Sequence, residues 1–365
     1  MPLVRQELPR RKKGGFFRSH IKNEVRRAIG IFRVDGKTSL RALQDCVQKV
    51  LYVDVSLGFI YKELARASQI AEKINLKISS LVDLSHCVMD EVWIKVAKTG
   101  EAWNFGFLTA SPKSLFIGFF TYMAKRDEVS MGIKVLEHKQ KGFNPSILIS
   151  DLLPTYRAIA GYFSVCLHQP CTNHARCIIS RIIKNLPSEA KKDKLFYNYM
   201  LRIKKRFNAL YSLQDVGEIN SSIAQIKREL KLFYIQERRE WAQSMLSFIE
   251  RNSRGLFLYK RLPKEKIEHT NNAAEIIFSL FKPQYKMMKE FRIPNGTQAH
   301  FNLFTLRHNF RAFPRGKRKG FSPVQLEGLN VSLNDWSELL YSGDRTIQEE
   351  SLFFSGKGKE TIFQE

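Results

Sequence analysis

The chain has 365 residues, and its 60 Lys plus Arg against 35 Asp plus Glu give a formal net charge of +25 at pH 7. Hydrophobic residues make up 44% and aromatic residues 12% of the chain, which excludes a disordered polyelectrolyte and predicts a folded protein with a sizeable core. A strongly positive surface attracts polyanions, so nucleic acid is the first expected partner and an anionic membrane the second.

Membrane insertion and secretion find little support in the sequence. The most apolar stretch, residues 114–123, is too short to span a bilayer and is typical of a buried strand. The basic N-terminus is followed by no apolar run, so no signal peptide is expected. The 5 cysteines are odd in number and lie mostly in apolar segments, which predicts a reducing compartment without a disulfide framework. We therefore expect no membrane partner and a cytoplasmic, nucleoid-associated location.

Residues 1–36 are expected to form a basic arm. Four consecutive basic residues lie in it: Arg10, Arg11, Lys12 and Lys13. Such a run is typical of a solvated tail and equally of a segment that contacts phosphates, so both interpretations stay open.

Residues 37–80 predict a helix-turn-helix. Thr38 or Ser39 can cap a first helix and Ser56 a second, and apolar residues recur at helical spacing in both. The second helix presents a polar face that contains Tyr61, Lys62 and Arg66. Helical hairpins are common, but the basic setting favours DNA binding.

Residues 81–175 predict the first part of an α/β core with one mixed sheet. The pattern predicts strands at 86–96, 103–110 and 114–122, a helix at 127–141, a strand at 146–150, a helix at 155–163 and a strand at 164–167.

The rest of the chain is predicted to be mostly helical. Residues 176–265 form an expected all-helical insertion, and a further helix from Thr270 to Pro283 belongs to the last part of the core, 266–313. Residues 314–365 are a basic and polar tail that opens with Arg315, Lys317 and Arg318. No structure is predicted for it beyond about residue 320.

Two carboxylates occupy positions where the strand pattern predicts burial. Alternation places Asp90 on one face with Val88 and Val92, and Asp151 at the C-terminal end of a later strand. A buried carboxylate needs compensation, so Asp90 could be partly solvated or paired with an Arg, and Asp151 could cap a helix. Ligand sites gather at such strand ends, and two carboxylates near one point indicate a divalent metal site.

A third acid, Glu275, lies on the predicted helix after the insertion. It shares a polar face with Asn271, Ser279 and Lys282. A polar stripe of this kind is usually the solvated side of a helix, and only its place after the insertion makes Glu275 a candidate.

Together these segments resemble the three acidic motifs of DDE transposases with an RNase H-like core. The motifs are Met89-Asp90-Glu91, Ser150-Asp151 and Thr270-Asn271-Asn272 followed by Glu275. Cys171 and His174 are similar to the C-x-x-H signature of Mutator-like and several bacterial insertion-sequence transposases. The segment from Arg292 to Phe310 also resembles the basic, aromatic segment that follows their Glu. The resemblance covers roughly residues 38–313, although residues 85–89 are not a close copy of any one branch.

The resemblance implies an α/β fold: an RNase H-like mixed sheet flanked by helices, with an N-terminal helix-turn-helix and an all-helical insertion before the catalytic Glu. It implies DNA strand cleavage and strand transfer with two Mg²⁺ ions, for which Mn²⁺ can substitute. Asp90 and Asp151 would hold the metals, and Glu275 would complete the second site. No covalent protein nucleophile is needed, so Ser150 and Tyr156 are expected to be structural.

The implied partner is double-stranded DNA, as element ends and as target, bound by a homodimer or a larger assembly. The residues expected to contact DNA are Arg10, Arg11, Lys12, Lys13, Tyr61, Lys62, Arg66, Arg292, Arg315, Lys317 and Arg318.

Three alternatives stay open. Cys171, His174 and Cys177 have a spacing that invites zinc, but the ligands would be crowded on a helix and no fourth is fixed, so zinc is not expected. The family likeness favours a packing role for Cys171 and His174, with inert core residues as the alternative. The whole protein could instead be a non-catalytic, sequence-specific DNA-binding protein derived from a transposase, or another RNase H-like nuclease such as a junction resolvase.

Overall fold

The computed structural model describes residues 21–232, 236–288, 290–329 and 335–341. Within them lies a five-stranded mixed sheet whose strands are β1 (His86–Ile94), β2 (Asn104–Ala110), β3 (Ile117–Met123), β4 (Ile147–Ser150) and β5 (Leu167–Pro170). The strand order is β3-β2-β1-β4-β5, in which β1, β2 and β3 are antiparallel and β1, β4 and β5 are parallel. A mixed sheet flanked by helices confirms the expected fold class at that level and is compatible with an RNase H-like fold.

The last strand lies a few residues later than the sequence predicts. The predicted strand covered 164–167, whereas β5 begins at Leu167, whose backbone N–H donates to Ser146 O at 2.8 Å. The backbone N–H groups of Tyr162 and Phe163 are taken up by a turn that closes the preceding helix, so pairing with β4 starts only after it.

Helices cover both faces of the sheet. α4 (Glu128–Gln140) and α5 (Pro154–Ala160) pack on one face, against the side of β1 that carries Met89. α12 (Asn272–Met288) and α13 (Pro294–Phe310) pack on the other, against Val88 and Val92. Gly106 permits this second contact because a Cβ there would lie 2.8 Å from the Phe301 ring.

Three helices precede the sheet: α1 (Asn23–Val34), α2 (Leu40–Leu51) and α3 (Leu57–Ser79). The caps predicted for α2 and α3 are confirmed, because Ser39 Oγ accepts from the Ala42 N–H at 3.2 Å and Ser56 Oγ from the Phe59 N–H at 3.1 Å. The two helices therefore begin where the sequence indicates.

The expected basic arm is wrong for residues 23–34. They form α1, which buries Val25, Ile29 and Val34 in a core shared with α2 and α3. The basic residues between these apolar positions hid the helical period. The arginines Arg10 and Arg11 and the lysines Lys12 and Lys13 lie outside the described residues.

The expected polar tail is also wrong in part. α14 (Pro323–Leu326) and α15 (Glu338–Tyr341) belong to the same core as α1–α3, where Val324, Trp336 and Leu339 are buried. Their apolar residues are too widely spaced to give a periodic pattern. The structure places this segment against α1, where Arg27 Nε donates to Ser337 Oγ at 2.7 Å.

Residues 172–261 form a helical unit with its own hydrophobic core. Its helices are α6 (Thr172–Lys184), α7 (Ser188–Lys192), α8 (Lys194–Ala209), α9 (Val216–Lys231), α10 (Gln236–Leu256) and α11 (Leu258–Arg261). Gln169 at the end of β5 ties this unit to the sheet, because its side chain donates to Leu256 O at 3.2 Å and accepts from the Tyr259 N–H at 3.1 Å. Among the described helices, none combines the length and the apolar character needed to cross a membrane.

Candidate functional site

Three carboxylates meet where β1 passes the C-terminal end of β4. The parallel register pairs Val88 with Ile149, which brings Asp90 level with Asp151. Carboxylate oxygens of Asp90, Glu91 and Asp151 all lie within 4.8 Å of one another. The sequence predicted the meeting of Asp90 with Asp151, and the structure adds Glu91.

Asp90 is partly buried and has hydrogen bonds but no ion pair among the described residues. Its Oδ1 accepts from the Glu91 N–H at 2.9 Å and its Oδ2 from Asn271 Nδ2 at 3.0 Å. Burial and the neighbouring Glu91 carboxylate raise the pKa of Asp90 to about 7. Asp90 is therefore the member of the cluster whose charge is least compensated.

Glu91 points to the opposite face of β1, and its side chain is only 1% exposed. It pairs with Arg126, and the Tyr156 hydroxyl donates a hydrogen bond to it. Burial raises the pKa of Glu91, while Tyr156 and Arg126 oppose that rise. One signal for this residue is visible in the sequence, a lone charge between Met89 and Trp93 on a strand face, and strand alternation alone does not say what compensates it.

For Asp151 the sequence left open a helix cap and a metal site, and its contacts are compatible with both. Its Oδ1 accepts from the Leu153 N–H at 2.8 Å, so it fixes the entry to α5. Its Oδ2 accepts from Arg126 Nη2 at 3.3 Å, and 19% of the side chain stays exposed. Helix entry, an arginine pair and a place in the acidic cluster therefore occur together.

Glu275 lies in the first turn of α12 with an exposed side chain. It is not in the 4.8 Å group of carboxylates found among the described residues. Asn271, one helical turn earlier, bonds directly to Asp90, and Asn272 Oδ1 accepts from Asn173 Nδ2 at 3.4 Å. The start of α12 is thus fixed at the site, while a role for Glu275 stays a prediction.

Cys171 lies between β5 and α6, and His174 lies in the first turn of α6, beside the carboxylates. Interaction with Cys171 raises the pKa of His174 to about 9, and the charges of Asp151 and Asp90 add to the effect. Burial raises the pKa of the Cys171 thiol, but its contacts with His174 outweigh burial and lower it overall. His174 is therefore a cation at neutral pH, close to an acidic cluster.

The residues expected to bind DNA through α3 differ in their surroundings. Tyr61 and Lys62 are exposed. Arg66 pairs instead with the buried Glu63 at 2.5 Å, and Glu63 also pairs with Arg26. Arg66 therefore neutralises a buried carboxylate of its own helix.

The later basic residues are mostly free to face a partner. Arg292, Arg315 and Lys317 are exposed. Arg318 is half-buried, and its guanidinium donates twice to the Lys113 carbonyl, at 3.0 and 2.7 Å. Arg318 therefore anchors the segment after α13.

No family model and no curated protein matches the chain. Among solved structures, the Drosophila P element transposase strand transfer complex is similar at a TM-score of 0.43 and 11% sequence identity, over 80% of this chain and 94% of that chain. A likeness at this level leaves the family and the activity of the chain open.

Proposed function

We propose that this chain is a metal-dependent enzyme that cleaves and joins DNA strands in the manner of a DDE transposase. The main support is the meeting of Asp90, Glu91 and Asp151 at one end of a mixed sheet in a chain of net charge +25. Polyanion attraction and a compact set of carboxylates are the two properties that metal-dependent phosphodiester chemistry requires.

The acidic cluster fits a hard divalent cation. Its donors are all carboxylate oxygens, the ligands that Mg²⁺ and Mn²⁺ prefer. Burial and the neighbouring Glu91 carboxylate raise the pKa of Asp90, and a bound metal would oppose that rise. Asp90 and Asp151 are the proposed metal ligands, with Glu275 as the proposed third acid. Two such ions, when bound, activate the attacking oxygen and stabilise the leaving oxygen of an in-line displacement.

Residues around the carboxylates keep them in place. Asn271 donates to one oxygen of Asp90, and the carboxylate keeps further lone pairs available for a metal ion. Tyr156 and Arg126 fix Glu91 on the other side of the strand, so Glu91 supports the site from behind. The His174 imidazolium lies near Asp90 and Asp151 and is suited to a phosphate oxygen of the substrate.

DNA binding is assigned to the exposed basic and aromatic residues. Tyr61 and Lys62 on α3 would contact element ends in the manner of a helix-turn-helix, and Arg292, Arg315 and Lys317 would contact phosphates. A homodimer or larger assembly would bring two ends together.

The test is strand cleavage on DNA that carries the flanks of this gene, with Mg²⁺ or Mn²⁺. We expect cuts that leave 3′-hydroxyl ends, followed by strand joining, with both activities lost in Asp90→Asn and Asp151→Asn while DNA binding persists. Glu275→Gln is expected to lose cleavage, whereas Glu250→Gln, an equally exposed carboxylate on α10, is the matched control. Cleavage that survives in the Asp variants would contradict the proposal.

One observation favours a second candidate, a non-catalytic DNA-binding protein. Arg126 already pairs with Glu91 and Asp151, so it supplies part of the charge that a metal would bring. Thermal unfolding with added Mn²⁺ separates the two candidates. A rise in Tm that needs Asp90 and Asp151 supports the enzyme, and specific binding with no metal effect and no cleavage supports the second candidate.

A further inference from the structure

One exposed tryptophan, Trp93, lies on the same face of β1 as Glu91, and a second, Trp103, directly precedes β2 and contacts Trp93. Trp93 is 50% and Trp103 is 44% exposed, and their rings meet edge to face with centroids 5.7 Å apart. Phe105 supports Trp93 from beneath, at a centroid distance of 5.0 Å. Exposing two large rings in contact is costly for a fold, so this pair indicates a surface that a partner covers.

A cation lies against the tryptophan pair, because Lys95 Nζ lies 5.2 Å from the centroid of the Trp103 ring. Lys98 is exposed in the same loop between β1 and β2, and the exposed Lys125 lies 4.0 Å from Glu101 of that loop. The partner that suits this surface is therefore anionic and carries a planar ring that can stack on the tryptophans.

The pair stands on the Glu91 side of the acidic cluster. Side chains on one face of a strand repeat about every 7 Å, so Trp93 lies one such step beyond Glu91. The antiparallel register pairs Glu91 with Phe107 and Trp93 with Phe105, which carries the row of rings outward from the acidic cluster.

We propose that Trp93 and Trp103 form a stacking platform for an unpaired base of the DNA strand whose phosphate lies at the carboxylates, with Lys95 beside the adjoining phosphate. This proposal rests on the proposed function, because the phosphate at the carboxylates is that of the DNA substrate. A base inside a duplex hides its faces against its neighbours, so a ring surface selects one that has left the stack. Charge decides against a second copy of this chain as the occupant, since two surfaces rich in lysine repel each other.

The test compares oligo(dT) of about 15 nucleotides with an abasic oligomer of the same length, in EDTA so that no cleavage occurs. The full chain should bind oligo(dT) about 5-fold to about 100-fold more tightly than the abasic oligomer. The double variant Trp93→Leu/Trp103→Leu should lose that preference and keep its affinity for the abasic oligomer. The variant Trp93→Phe/Trp103→Phe should keep most of the preference, because phenylalanine retains a ring face and leucine only apolar area.

Each other outcome overturns the platform. A preference that survives in the leucine variant places base stacking elsewhere, and an equal loss of affinity for both oligomers makes the tryptophans mere supports of the fold. A shift from dimer to monomer in the leucine variant, with the base preference unchanged, assigns the surface to a second copy. Failure of the proposed function is distinguishable, because it appears as cleavage that does not depend on Asp90 and leaves this metal-free measurement untouched.

Discussion

Replacing Tyr156 by Phe isolates the hydrogen bond that holds Glu91 in the candidate site. The Tyr156 ring is fully buried, and its hydroxyl donates to a carboxylate whose side chain is 1% exposed. Removing the hydroxyl leaves the ring packing intact and takes one donor from a buried charge. A hydrogen bond to a charged group contributes roughly 1.5–3 kcal/mol, so we expect the free energy of unfolding to fall by about 2 kcal/mol. Urea denaturation at pH 7.5 measures the change.

Tyr211→Phe is the matched control. Its hydroxyl is also buried, but it has no hydrogen-bond partner among the described residues, and its ring lies 4.4 Å beneath the Arg176 guanidinium. Because a buried hydroxyl without a partner costs about 1–3 kcal/mol, its removal should leave the free energy of unfolding unchanged or raise it by up to that amount. Equal effects of the two substitutions, or no effect of Tyr156→Phe, would refute the assigned role of Tyr156.

Three further predictions concern stability and DNA binding. Asp90→Asn should stabilise the metal-free protein at pH 8 by up to about 4 kcal/mol, because a rise in pKa from 3.8 to about 7 makes the ionised carboxylate unfavourable in the fold. The gain in the free energy of unfolding should vanish near pH 4, where Asp90 is protonated in the folded protein. Urea denaturation that shows no gain at pH 8 would contradict this prediction. Burial lowers the pKa of four histidines in the fold: His138 to about 3, His168 to about 4, His308 to about 4, and His300 also well down. Protonation of these histidines therefore favours the unfolded state. Their full contribution to stability should be present above about pH 6.5, and below that pH the free energy of unfolding should fall by up to about 1.4 kcal/mol per pH unit for each histidine. Equal free energies of unfolding at pH 7 and pH 5 would count against this account. Tyr61→Ala and Lys62→Ala should weaken binding to element ends more than to random DNA, with Leu195→Ala as an exposed control on α8, and equal losses on both DNAs would remove α3 as the reading helix.

The sequence predicted the sheet and two of its carboxylates because both follow from the two-residue alternation of side chains along a strand. Alternating apolar residues mark β1, and a charge such as Asp90 stands out against them. Asp151 follows from the same logic, since it directly succeeds a short run of buried residues. Local pattern was sufficient for these features.

Features that depend on contacts between distant residues were not predictable in this way. Glu91 joins the site because Arg126 reaches it from the loop after β3 and Tyr156 from α5, 35 and 65 residues further along the chain. α1 was obscured by its own basic residues, and α14 and α15 bury too few residues to show a period. Charge density and short length hide a helix from pattern analysis, because tertiary packing supplies most of its stability.

Asp35 at the end of α1 fastens that helix to two distant segments, the end of α13 and the segment before α15. It accepts from Arg307 at 2.5 Å, from Arg311 at 2.6 Å and from Trp336 Nε1 at 2.8 Å. Asn75 on α3 donates to Asn302 O on α13 at 3.0 Å, so a buried hydrogen bond joins α3 to the helix that covers the sheet. The first helices therefore hold a fixed position relative to the carboxylates. If the chain cleaves DNA that α3 binds, the cut would lie at one set distance from the bound sequence. A few base pairs inserted between the two would then shift the cut, relative to the flanking sequence, by the same number of base pairs.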